Sequence, residues 1–229
     1  MRQLRKPELH IPEKGVMELD KEKKTTGQKE IRALPVTLEV RESGEGEETK
    51  RTITGSIKYN TESAVMRDFW GDEFVEVIDK EAFKDSLVSR NVVALWSHDT
   101  SQVLGNTKSG TLRLTNMETE LRFELDIPNT TVGNDAWELI KRGDVDGVSF
   151  GMRVVDGGAK WTSEKRDGKR IYKRTILNAE LHEISPVAFP AYPANEVAAR
   201  SLEEYKAFEK RAADQYEKEK MLLELDLYG

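Results

Sequence analysis

From Leu34 to Val187 the chain is cut into short stretches in which apolar and polar residues alternate, with Gly, Asp and Asn gathered between them. Alternation of period two is how a half-buried strand reads, and turn residues at such close spacing leave little room for long helices. Strands are expected over Leu34–Val40, Arg51–Tyr59, Phe74–Ile78, Val92–Trp96, Thr111–Leu114, Leu121–Ile127, Val148–Val155, Trp161–Ser163, Ile171–Leu177 and Glu180–Val187. The polar loop Ser43–Lys50 makes the first two a hairpin, and the unbroken apolar run Val92–Trp96 reads as a strand covered on both faces. Two short helices interrupt the strands. One starts at an Asp79 cap and turns Ala82, Phe83 and Leu87 inward; the other runs from Asn134 to Arg142 and stops at Gly143. The pattern predicts a mainly β (α+β) fold, a barrel or sandwich decorated by short helices.

The flanks differ. Residues 1–30 are charged and aperiodic and read as a flexible tail, which places the β domain at 31–195. The prolines between Ala188 and Asn195 end the sheet. Over 196–229, Ser201 and Glu204 fit a capping box, and Leu202, Tyr205, Phe208, Ala212 and Tyr216 recur at helical spacing, so an amphipathic C-terminal helix is expected. Its apolar stripe packs on its own domain or on a partner.

Composition excludes several classes. The chain has no cysteine, which removes disulfides, thiol catalysis and most structural zinc sites. Its net charge of −6 comes from interleaved signs with no basic stripe, so direct nucleic-acid binding is not expected. No apolar run is long enough to span a bilayer, and the charged start, with two prolines by Lys14, is not a signal peptide. An intracellular protein follows as the expectation.

Chemistry has few places to reside. Of three histidines, His10 lies in the tail. His98 leaves the rigid run VVALW, held at one end and reachable at the other, as a general base must be. Ser149 alternates with Val148, Phe150 and Met152, so its hydroxyl leaves the apolar face of its strand, beside Gly147 and Gly151. A third group should orient the histidine. Asp99 is adjacent in sequence and points away. Strict alternation puts Glu183 on an apolar stripe with Leu177, Ala179 and Leu181, where a carboxylate is costly without a partner, while His182 lies on the opposite face with Asn178 and Glu180. Glu183 is favoured and His182 is the alternative. Ser149 then stands off its apolar face and Glu183 on its own, a conflict that sequence does not resolve. Arg142 and Arg153 are near enough in sequence to support an oxyanion. Each of these residues is commonplace taken alone.

Taken together and in order, the segments RTITGSIKY, EFVEVIDKEAF, VVALWSHD with VLGNTKSGTLRL, LRFELDIPNT with ELIKRGDVDGVSFGMRV, and LHEISPVAFPAYPAN resemble the prohead (head maturation) serine proteases of tailed phages. Asn106 and Met152 depart from residues common in that family. The resemblance implies a barrel like that of the herpesvirus capsid assembly protease (assemblin). It puts Ser149 on the nucleophile, His98 on the base and Glu183 on the acidic position; the herpesvirus relatives use a second histidine there, which keeps His182 in view. It further implies an endopeptidase without cofactor or metal, packaged from the host cytoplasm into the prohead. Such an enzyme cuts the scaffolding region of the major capsid protein and then itself, and a homodimer is compatible with the relatives. The contrasting expectation is a catalytically silent scaffold module that retained the fold, suggested by the charged C-terminal helix.

Overall fold

A computed structural model describes residues 17–18, 29–34, 38–44, 50–68, 70–189 and 196–228. In chain order the described elements are β1 (Met17–Glu18), β2 (Glu30–Leu34), β3 (Glu39–Ser43), β4 (Lys50–Lys58), β5 (Met66–Arg67), β6 (Glu73–Ile78), α1 (Lys84–Ser89), β7 (Val93–Trp96), β8 (Asp99–Asn106), β9 (Leu112–Asn116) and β10 (Glu120–Asp126). They continue with α2 (Thr131–Arg142), β11 (Gly147–Val154), β12 (Ala159–Arg166), β13 (Lys169–Ile176), β14 (Ala179–Val187) and α3 (Glu196–Tyr228). The protein is mainly β, as the alternation predicts.

The strands form three sheets, ordered β1-β12-β13-β6-β5, β3-β4-β10-β9 and β2-β11-β14-β7-β8. The expected closed barrel is not present. Among the described residues the edge strands of each sheet pair with no strand of another. Local irregularity accounts for part of this: the β7–β8 ladder shifts register twice, and bulges bend strands away from a continuous ladder. Alternate residues of the strands meet in one core, with Ile53, Leu121, Phe123, Phe150, Leu181 and Ile184 essentially sealed from water.

Several local readings move by a few residues for identifiable reasons. Asp79 accepts from the Glu81 N–H at 2.9 Å and so opens a turn, with α1 following at Lys84. α2 starts at Thr131 because the Thr130 hydroxyl caps the Gly133 N–H, and it stops at Gly143, whose φ of 80° suits a residue without Cβ. Ser201 does not cap α3, which begins five residues earlier at Glu196. Its Oγ instead accepts from Trp161 Nε1 at 2.8 Å. Ala198, Leu202 and Tyr205 bury against Phe74, Trp161 and Tyr172 in a second apolar cluster, so the first turns of α3 pack on their own sheet. Lys206 reinforces the contact, with Nζ 2.9 Å from Asp68, 2.6 Å from Glu203 and also bonded to Asp72. That ammonium supplies the positive charge for three clustered carboxylates. Within the stretch read as a tail, Met17–Glu18 pairs with β12 and Glu30 opens β2. Residues 190–195, with the prolines read as ending the sheet, lie outside the described residues.

Candidate active site

The site is built on the antiparallel pair β11–β14. Its register is Ser149 opposite Ser185, Phe150 opposite Ile184 and Gly151 opposite Glu183; the next pair is Met152 with Leu181, so His182 has no partner on β11. This one-residue bulge resolves the conflict left by the sequence. Strict alternation puts Glu183 on the stripe of Leu181, but the extra residue turns the strand over, as a slip of one residue does. Leu181 and Ile184 both face the core, and Glu183 and Ser185 lie on the other face with Ser149. All three are buried, with Ser149 at 1% exposure and Glu183 at 2%.

Gly151 permits the arrangement. A Cβ there would come within 2.5 Å of Glu183 Oε1 and 2.3 Å of Lys29 Cε, so the missing side chain is where the carboxylate lies. The space beside Ser149 that Gly151 leaves is thus filled by the chain's own groups.

His98 reaches this face from the neighbouring hairpin. Trp96 pairs with Asp99, leaving Ser97 and His98 as a two-residue turn with φ of 50° and 65°. Two successive positive φ values mark a type I′ turn, which favours Asn and Gly; non-glycine residues there cost of order 1–3 kcal/mol each. The turn is tied to β14 by hydrogen bonds, Ser97 N–H to the Pro186 carbonyl at 3.3 Å and His98 N–H to Ser185 Oγ at 3.2 Å. The segment after His98, for which the sequence pattern predicts no strand, is strand β8.

His98 Nδ1 lies 2.8 Å from Glu183 Oε1, and Ser185 Oγ donates to Glu183 Oε2 at 2.7 Å. Burial pushes the Glu183 carboxyl up, but the bonds from His98 and Ser185 and the charge of Lys29 outweigh it and hold the group below its usual value. An ionised carboxylate only accepts, so Nδ1 is the donor in this contact, and in the neutral ring that arrangement leaves the lone pair on Nε2. Ser185, which the sequence reading missed, therefore bonds both the carboxylate and the backbone of the histidine. Its signal was its position two residues after Glu183, the same-face spacing of a strand.

The other candidates lie elsewhere. His182 Nδ1 is 3.2 Å from Arg90 Nη2, and its Nε2 is 3.4 Å from Glu180 Oε2. Burial, then Arg90, lowers its pKa, keeping the ring neutral. Arg153 binds Glu180 at 2.9 and 2.8 Å, and Arg142 pairs with Asp144 at 3.1 Å on the surface. Asp99 is occupied by Ser101 and Gln102 of its own strand. Ser149 Oγ does not bond His98 among the described residues; it donates to the Arg32 carbonyl of β2 at 2.9 Å.

A profile of the caudovirus prohead serine proteases matches residues 36–208, most of the chain and every segment just described except β2 with Lys29. The chain belongs to this family. Among solved structures, the bacteriophage T4 capsid assembly protease gp21 is similar at 10% identity and a TM-score of 0.38, over 69% of this chain and 99% of that one. No curated protein sequence matches. Membership makes this a prohead serine protease by family, and none of its described helices is long and apolar enough to cross a membrane.

Proposed function

We propose that this prohead protease is a serine endopeptidase in which Ser149 is the nucleophile, His98 its general base and Glu183 the group that orients and charge-balances the histidine. The observation that carries the reading is the 2.8 Å contact of His98 Nδ1 with a buried Glu183 on the strand directly beside Ser149. Side chains directly opposite on an antiparallel pair stand about 4.5–5.5 Å apart at Cβ, so Ser149 faces Ser185, the residue that holds the His98 backbone.

In the reaction, the Ser149 hydroxyl swings from the Arg32 carbonyl to His98 Nε2 and gives up its proton as Oγ bonds the peptide carbonyl carbon. The imidazolium, balanced by Glu183, returns that proton to the departing amine. Water then attacks the acyl-enzyme, again losing a proton to Nε2, which passes it to Ser149 Oγ as the bond from Oγ to the acyl carbon breaks and the acid leaves. Backbone N–H groups beside Ser149 are the nearest oxyanion donors. Arg153 and Arg142 would assist only after leaving Glu180 and Asp144. No cofactor enters this chemistry.

The substrate proposed is the scaffolding region of the phage major capsid protein, followed by the protease itself, inside the prohead in the host cytoplasm. The protease unit is 31–195, with 1–30 and 196–229 as the segments removed or used in assembly; a homodimer and the herpesvirus-protease relation rest on the family resemblance. The competing reading, a silent scaffold module, draws on the exposed far half of α3, where Met221 and Leu222 face solvent. Co-expression with the capsid protein separates them. Cleavage by the wild type and none by Ser149→Ala is expected; intact capsid protein with both chains would favour the scaffold.

A further inference from the structure

β11 has β14 on one side and β2 on the other, and β2 is the edge of the sheet. The β2–β11 pairing is antiparallel and sets Ala33 opposite Ser149 and Ile31 opposite Gly151. Two features bring β2 onto the reactive groups. The Arg32 carbonyl accepts the Ser149 hydroxyl at 2.9 Å, and Lys29, one residue before the strand, sits 3.1 Å from Glu183 Oε1, the oxygen that also meets His98. An extended backbone therefore lies along the strand of the nucleophile with a peptide carbonyl at its hydroxyl.

The opposite face of β2 shows what holds it. Glu30 and Arg32 enter a buried charge cluster with Glu76 of β6 and Arg174 of β13. Arg32 Nη2 is 2.6 Å from Glu30 and 2.7 Å from Glu76, and Arg174 Nη1 is 2.7 Å from Glu30 and 2.9 Å from Glu76. Each side chain is at most 4% exposed. The cluster divides evenly: β2 brings one acid and one base, and the body keeps one of each, already bonded to each other. Withdrawing β2 thus strands no unpaired charge, the usual obstacle to removing a buried ion pair. β2 also precedes the residues matched to the family, so that match does not include it.

Peptides commonly bind by adding a strand to a sheet edge, with backbone bonds giving affinity and pockets for alternate side chains giving selectivity. We propose that the edge of β11 is the binding site of the extended substrate peptide, that β2 occupies it in cis, and that the folded chain is thereby self-blocked. The proposal rests on Ser149 being the nucleophile. The peptide that replaces β2 is one presenting an acid and a base two residues apart to Arg174 and Glu76. A small cavity lined by Lys58, Thr61, Ser63, Ile78 and Phe150 adjoins the Arg32 side chain and gives the base its slot.

The test uses the full chain in three forms: wild type, Glu30→Gln/Arg32→Gln, which neutralises the latch in balance, and Ala33→Pro, which removes a strand N–H without touching the charges. Hydrogen exchange of the β11 amides reports whether β2 is seated, exchange of β4 and β10 reports that the rest is folded, and a fluorophosphonate probe reports access to Ser149. Both variants should lose protection in β11 alone and label about tenfold faster or more, the double variant through several charge-assisted bonds lost and Ala33→Pro through disruption of the strand backbone. Added peptide of sequence KEIRAL, residues 29–34, should restore protection and slow labelling. Protection of β11 retained in both variants, or lost without faster labelling at Ser149, overturns the proposal. If no form labels at Ser149, wild type included, it is the serine mechanism that fails, and the self-block built on it fails with it.

Discussion

Two buried polar clusters border β2 and differ in what they leave open. In one, Glu30, Arg32, Glu76 and Arg174 bind each other and are sealed from water. In the other, Glu183 is equally buried, but its partner His98 keeps 22% of its side chain exposed and Lys29 keeps 41%. The first has bases enough for its acids and, while β2 is seated, offers nothing to a reactant. The second ends in a partly exposed imidazole on a turn with two positive φ angles. The comparison teaches that burial of charge serves two ends here: closure where the charges balance internally, and orientation where one member remains reachable.

The sharpest break in that contrast comes from the reactive side. Ser149→Ala should lower capsid-protein cleavage by several orders of magnitude while the thermal midpoint barely moves, since it removes only one bond to β2. Glu183→Gln should cost about a thousandfold or more in rate, because an amide can no longer fix the Nδ1–H tautomer or balance the imidazolium. A cleavage assay on purified chains checks both.

On the sealed side the effect is on stability. Arg174→Met leaves two buried carboxylates to one arginine and should cost about 3–5 kcal/mol in denaturant unfolding. Acid should reach the same cluster. Burial alone would raise the Glu76 carboxyl, but Arg32 and Arg174 override it and hold it at about 2, against an ordinary 4.5. A carboxyl lowered on folding contributes its full stability above its unfolded value and loses it as pH falls toward the folded one. The thermal midpoint should therefore drop between pH 4.5 and 2, by the equivalent of roughly 3 kcal/mol, and Glu76→Gln should flatten that drop.

The smallest effect falls where the reactive cluster is braced. Ser185→Ala removes one bond to Glu183 and one to the His98 backbone, and about a tenfold loss in cleavage rate is expected, with 1–2 kcal/mol in stability. Ser185→Thr, which keeps the hydroxyl, should recover most of the rate. A merely structural role would give a loss in stability with the rate per folded molecule unchanged.

Much of this was legible in the sequence. Every strand from Arg51 to Val187 that alternates, or runs apolar, falls close to where the pattern puts it, because each buries a face in the common core. His98, Ser149 and Glu183 could be singled out one by one, but not placed on one face, since the bulge at His182 reverses the alternation and carries no mark in composition. β8 reads as a loop because Asp99, Ser101 and Gln102 satisfy one another along an exposed stretch. β2 is hidden for a different reason. Its residues EIRAL carry Glu30 and Arg32 on the face that turns inward, and those are buried only because Glu76 and Arg174, from distant strands, complete them.

In the proposed mechanism the Ser149 hydroxyl and the His98 imidazole work as one unit. Cleavage rates for Ser149→Ala, His98→Ala and the double variant measure this directly. Each single change should abolish nearly all activity and the double should be no worse than either. Losses that multiply, or a His98→Ala chain that still cleaves at the wild-type rate, would contradict it.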